Sequence, residues 1–241
     1  MSYLAERITR SPEKSYGMAG RAAAMSGEDL IYLAIGRPCH DTPDFIKEAT
    51  IRALRAGEVH YSSDFRGELP LRSALAQKLR TFNGIEASAD QVLVTNGLTQ
   101  ASFAAFMATI DPGDEVILLD PYYPQHVGKI ELAGGTPVFA PLDAARGFSI
   151  DPALIEARIT SRTKAIVLVN PSNPTGRVYS RQELAGLAEL CIRHDLLVIS
   201  DEVYEYITFD NHAHVSIASL PGMGQRTISM FAFTKAYAMD G

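Results

Sequence analysis

Tryptophan is missing from this 241-residue chain, and cysteine is nearly so: Cys39 and Cys191 stand alone and far apart. Two cysteines so placed build neither a disulfide framework nor a C-x-x-C zinc pair, and they suit a reducing cytoplasm. No run of about eighteen apolar residues occurs, so no membrane-spanning helix is expected. The opening Met1-Ser-Tyr-Leu-Ala-Glu-Arg lacks the basic-then-apolar order of a secretion signal. Long Lys/Arg runs are also missing and the formal net charge is −6, which leaves no footprint for nucleic acid or an anionic membrane. Neither G-x-G-x-x-G nor G-x-x-x-x-G-K-[ST] is present, which argues against dinucleotide and P-loop sites. What remains is 46% hydrophobic and 21% charged, a balance that can bury the core of one large domain with a partial second one and that points to small-molecule chemistry.

Residues 1 to about 35 read as a polar arm ending in a short strand over 30–35. Thr42-Pro43 reads as an N-cap and first helical residue, with Ile46, Ala49 and Ala53 on one helix face and Gly57 at its end. A second helix runs from Glu68, with Leu71, Leu75, Leu79 and Phe82 at helical spacing and Gly84 closing it. From Gln91 the rhythm changes. Strands are expected at 92–95, 115–119, 137–140, 164–169, 196–200 and 226–232, with helices at 99–110, 125–133, 152–159 and 181–194, the last opened by the capping box Ser180-Arg-Gln-Glu183. Near-continuous apolar runs such as Ala165-Ile-Val-Leu-Val169 mean strands covered on both faces, so the expected fold is α/β with a doubly wound, mostly parallel sheet.

Ligands in such sheets collect beyond the carboxyl ends of the strands. Five stretches there could carry chemistry. Asn96-Gly97-Leu98-Thr99 is a glycine turn opening a helix, suited to a phosphate through free N–H groups, the helix dipole and the Thr99 hydroxyl. Asp120-Pro-Tyr122-Tyr123-Pro124 offers an aromatic plate for a flat ring, with Tyr122 read as packing. Asn170-Pro-Ser-Asn173-Pro174-Thr175-Gly176 is a stiff loop presenting the Asn173 amide. Asp201-Glu202-Val203-Tyr204 puts a carboxylate at a strand end, a natural partner for a ring nitrogen that must stay protonated. Glu202 and Glu205 read as solvated or loop-forming. His212 and His214 form an H-x-H pair without a third ligand nearby, so a metal is not expected. Finally, the apolar run Thr227 to Ala232 delivers Lys235 to a strand end, where a buried amine can lose its proton and form an imine.

In order and spacing these stretches resemble the fold-type I, class I and II pyridoxal-phosphate aminotransferases, the aspartate aminotransferase-like enzymes. The likeness covers nearly the whole chain. It implies that Lys235 binds pyridoxal 5'-phosphate covalently, that Asp201 pairs with the pyridinium nitrogen, and that Asn173 and Tyr204 donate to the phenolic oxygen. It further implies that Tyr123 stacks on the ring and that the backbone of Gly97 and Leu98, with the Thr99 hydroxyl, holds the phosphate. Tyr61 would reach the phosphate in a neighbouring subunit of a homodimer, and Gly36 would lie near the substrate carboxylate together with Asn173. Lys235, Asp201 and Tyr204 would then be the catalytic residues. The activity implied is transamination between an α-amino acid and an α-keto acid, with 2-oxoglutarate as the keto acid. A C–S lyase or other eliminating enzyme would share every one of these contacts.

Departures from the pattern bear on this reading. Ala232 stands three residues before the lysine, where relatives often carry Ser or Thr; Thr234 is the nearest replacement. The likeness divides the chain into an N-terminal arm and small-domain segment (1–42) and a large cofactor-binding domain (43–241) incomplete at its C-terminus. It also implies that a phosphate-binding arginine, one inner sheet strand and a C-terminal small domain with the carboxylate-binding arginine lie outside these residues. On that ground the expectation is a part of a longer polypeptide or a poorly active fragment with an unpaired sheet edge. A further reading, from another class, is an inactive cofactor-binding fragment.

Overall fold

A computed structural model describes residues 3–10, 31 and 36–240. The strand expected over 30–35 and most of the arm lie outside the described residues.

Among the described residues, short aliphatic runs form five strands: β1 Glu115–Asp120, β2 Thr136–Pro141, β3 Thr163–Val169, β4 Leu197–Asp201 and β5 Thr227–Met230. They make one sheet in the order β2-β1-β3-β4-β5. Every neighbouring pair is parallel. The helices are α1 Glu6–Arg10, α2 Asp44–Arg55, α3 Leu69–Lys78, α4 Gly97–Thr109, α5 Pro124–Ala133, α6 Pro152–Glu156, α7 Arg181–Arg193 and α8 Phe233–Ala236.

Side chains alternate across the sheet, which explains why it needs cover on both faces. Ile117 and Leu119 of β1 join Ile166, Leu168 and Val198 against Leu184, Leu187 and Leu190 of α7. Val116 and Leu118 join Val167 and Ile199 against Phe106 of α4 and Ile130 of α5. The chain leaves β1 on one side for β2 and returns on the other to β3, so the strand order reverses between β1 and β3. That reversal parts the loops at the carboxyl ends and makes room for a ligand.

Local signals explain the boundaries. Ser180 accepts from the Glu183 N–H at 3.2 Å while Glu183 Oε2 accepts from the Ser180 N–H at 2.9 Å, closing the capping box of α7. At the end of α5, Gly134 takes φ +94, in the left-handed region that favours glycine.

Three expectations are corrected. Residues 92–95 are not a strand of the sheet: Val94 donates to the Arg66 carbonyl at 2.8 Å, and no ladder forms there among the described residues. β5 is neither long nor fully buried, because among the described residues β4 is its one neighbour and Thr227 to Ser229 remain half-buried. Lys235 consequently lies beyond the strand, on the one-turn helix α8. Thr42 does not cap α2, whose N-cap position is Pro43; its hydroxyl instead donates to the Ala238 carbonyl at 2.6 Å.

Candidate active site

The carboxyl ends of the strands open into a cavity of about 430 Å³ assembled from separate stretches of chain. Gly97, Leu98 and Thr99 enter it from the start of α4, and Tyr123 from just before α5. Asn173 follows β3, Asp201 ends β4 with Tyr204 in the next turn, and Thr234 and Lys235 come from α8. Two expected residues stand outside the wall. Tyr61 is fully exposed on the surface. Gly36 meets the site through its carbonyl, which accepts from Lys235 Nζ at 2.6 Å.

At one end of the cavity α4 begins without a side-chain cap. The Gly97 N–H donates to the Thr95 carbonyl at 2.9 Å, while the next N–H groups of the first turn carry the positive end of the helix dipole, the usual design of a phosphate cradle. Gly97 adopts φ +71 although an added Cβ would touch nothing within 4 Å. Backbone conformation, not space, calls for glycine there.

At the other end Asp201 is only 3% exposed, and its Oδ1 accepts from the Val203 N–H at 3.2 Å. His126 of α5 is fully buried beside it, Nε2 standing 3.3 Å from Asp201 Oδ2. That approach is out of line for a hydrogen bond, so both imidazole nitrogens lack a hydrogen-bond partner among the described residues. The Tyr123 ring stands edge-on to His126, centroids 5.3 Å apart. Lys129, one turn further along α5, also lines the cavity and donates to Ser102 Oγ at 2.7 Å. Burial pulls its ammonium below the ordinary lysine range, while the Asp201 carboxylate pulls it back up. A buried carboxylate and an orphaned imidazole fit a ligand that brings a protonated ring nitrogen.

Asn173 and Tyr204 both line the cavity. Burial and the nearby Asp201 charge push the Tyr204 hydroxyl above its usual range, and the Asn173 side chain offsets part of this. The phenol thus stays a donor at neutral pH. Lys235 is half-buried, not enclosed. Ala232 is the residue before α8 and brings nothing to the wall, whereas Thr234 lines it. Tyr122 packs on Phe139 at 4.9 Å, a structural role as read from the sequence.

Sequence reasoning passed over His126 and Lys129. The signal was available: 123, 126 and 129 or 130 follow helical spacing from the aromatic loop, so a His and a Lys had to rise on the same side as Tyr123. Glu202 and Glu205 are also corrected. Both are buried, because the turn after β4 folds them inward onto polar partners. His214 leaves its neighbour His212 exposed and sits 2.8 Å from Glu202.

The sequence profile described as "Aminotransferase class I and II" matches residues 28–241. This chain belongs to the class I and II aminotransferases. The cofactor of that family is pyridoxal 5'-phosphate, and the uncapped α4, the buried Asp201 and the amine of Lys235 fit its phosphate, ring nitrogen and aldehyde. Similar proteins include a bifunctional aspartate aminotransferase and glutamate/aspartate-prephenate aminotransferase of Petunia hybrida, 42% identical over 95% of this chain and 48% of that protein. A probable aspartate/prephenate aminotransferase of Aquifex aeolicus is 39% identical over 99% of this chain and 61% of that one. Among solved structures, aspartate aminotransferase of Thermus thermophilus with maleate superposes with a TM-score of 0.92 at 37% identity, covering 100% of this chain and 63% of that one. This class I and II chain therefore spans about half to two-thirds of the length of these relatives. Among its described residues no helix is long and apolar enough to cross a membrane, and no three His, Cys, Asp or Glu side chains gather as metal ligands.

Proposed function

We propose that this aminotransferase chain serves transamination between an α-amino acid and an α-keto acid, 2-oxoglutarate among the latter, with pyridoxal phosphate attached to Lys235. The observation that carries the reading is the convergence of Lys235, Asp201, Asn173 and Tyr204 on one cavity from three distant stretches of sequence. Relatives named for aspartate and prephenate support an acidic amino donor.

When bound, pyridoxal phosphate supplies an electron sink for the pair left as the substrate Cα loses its proton. Asp201 would pair with the ring nitrogen and keep it protonated, the form in which the ring accepts electrons. Tyr204 and Asn173 would donate to the phenolic oxygen, Tyr123 would cover the ring, and Gly97, Leu98 and Thr99 would hold the phosphate. The Lys235 amine, when free, would take the proton from the substrate Cα and hold it for return. Gly36 and Asn173 border the place of the substrate carboxylate.

Residues 1–42 are read as an arm and small-domain segment and 43–241 as the large cofactor-binding domain. A homodimer with sites near its interface is supported by the surface around α2. That helix buries no side chain, and Phe45, Leu54, Tyr61 and Phe65 are all exposed, an apolar stretch that a second copy would cover. On this reading Tyr61 serves the partner's site. Two free cysteines support a cytoplasmic location.

Borohydride reduction followed by peptide mass mapping tests the central assignment. The reduced adduct is expected on Lys235 and is expected to vanish in Lys235→Ala, together with formation of glutamate from 2-oxoglutarate. An unchanged reducible adduct in that variant would refute the lysine's role. Pyruvate and ammonia from a cysteine-type substrate, without transfer to a keto acid, would refute transamination.

A further inference from the structure

The turn after β4 has two faces. Asp201 and Tyr204 border the cavity, whereas Glu202 and Glu205, each one residue further on, are 1% and 5% exposed. Nothing in the cavity reading uses them. Buried carboxylates persist only where charge or hydrogen bonds are matched; here Glu205 meets an ammonium, and both carboxylates are hydrogen-bonded through one chain of contacts. Glu205 accepts from the Lys78 ammonium at 2.5 and 2.6 Å and from Asn83 Nδ2 at 2.8 Å. Asn83 Nδ2 also donates to Ser216 Oγ at 2.9 Å, and Ser216 donates in turn to Glu202. Glu202 further accepts from Ser200 at 3.0 Å and meets His214 Nε2 at 2.8 Å. Lys78 lies over the Phe231 ring, 4.3 Å from its centroid, which shields the ion pair from water and strengthens it.

The backbone is therefore gripped on both sides of Tyr204. Asn83 is the hub, since one amide nitrogen serves both the Glu205 carboxylate and the Ser216 hydroxyl that reaches Glu202. Apolar side chains could fill this space with similar stability. Directional bonds add a single backbone position for the turn.

We propose that Glu202 and Glu205, joined through Asn83, are positioning residues that act through Tyr204, fixing where its hydroxyl stands in the cavity. This rests on the reading above, in which Tyr204 donates to the phenolic oxygen of pyridoxal phosphate.

The test compares wild type, Tyr204→Phe, Glu205→Gln and the double variant, each loaded with pyridoxal phosphate, by the pH midpoint of the visible absorption band. A donor to the phenolic oxygen lowers the proton affinity of the chromophore, so Tyr204→Phe raises the midpoint, by up to about one pH unit for one hydrogen bond. Glu205→Gln is expected to produce part of that rise in wild type and no further rise in the Tyr204→Phe background. Equal rises in both backgrounds, or none in wild type, would overturn the proposal. Asn83→Ala cuts the bridge while leaving the Lys78 ion pair, and it supplies the same comparison where Glu205→Gln does not fold. Failure of wild type to form any reducible adduct on Lys235 would overturn the functional reading first, and this inference with it.

Discussion

The centre of the sheet and its β5 flank hold their parts of the site by different means. β1, β3 and β4 have a strand on each edge and packed layers on both faces, and Tyr123, Asn173 and Asp201 leave directly from that core. β5 has one neighbour among the described residues, and the Thr227 and Ser229 hydroxyls are buried without a partner. Lys235 beyond it depends on a few discrete contacts: its own bond to the Gly36 carbonyl, the Thr42 hydroxyl on Ala238, and the Tyr206 ring against Tyr237 at 6.1 Å. The groups that would hold the cofactor ring are thus set by hydrophobic packing. The lysine is set by polar and aromatic tethers worth about 1 kcal/mol each.

The contrast is broken most strongly at the centre. Leu168→Ala empties a fully buried site in β3 and is expected to cost about 2–5 kcal/mol, read as a lower midpoint in urea unfolding. If the loss were under about 1 kcal/mol, the central layer would not be the rigid part.

A second measurement uses pH. Burial pushes the Tyr179 hydroxyl up to about 12 from its ordinary 10, against the opposing pull of its hydrogen bond with Ser172. The folded chain then keeps a proton that the unfolded chain gives up, so this contribution is complete below pH 10 and disappears as pH climbs to 12. Two pH units correspond to about 3 kcal/mol at most. Unfolding free energy measured between these limits is expected to fall less steeply in Tyr179→Phe than in wild type.

The smallest effect belongs to the β5 flank. Thr42→Val removes one tether at 2.6 Å and is expected to cost about 1 kcal/mol or less. Amide hydrogen exchange over residues 236–239 should quicken while the global unfolding midpoint hardly moves. A large global loss would place this segment in the same cooperative unit as the core.

Much of the fold was legible because its signals are local. The capping box at Ser180, the helix-ending Gly134 and the apolar run of β3 each act within a few residues, and each forms as read. The polar residues after the strands were legible for a similar reason, since parallel strands bring their carboxyl ends to one rim. Thr42 misled because Thr-Pro is a local cap signal, whereas its hydroxyl is taken by a carbonyl almost two hundred residues away. Residues 92–95 misled because an apolar alternating run forms a ladder only where a neighbouring strand is present.

Residue type and spacing by themselves determined that this chain would build a parallel sheet and deliver an amide, a carboxylate, a phenol and an amine to its rim. Only the tertiary structure decided that His126 and Lys129 stand beside Asp201, that Lys235 rests on Gly36, and that Glu202 and Glu205 turn inward. The physical reason is range: strand and cap formation follow from neighbours along the chain. The burial of a charge depends on whether partners from α3, α5 and the 214–216 segment arrive in the same place.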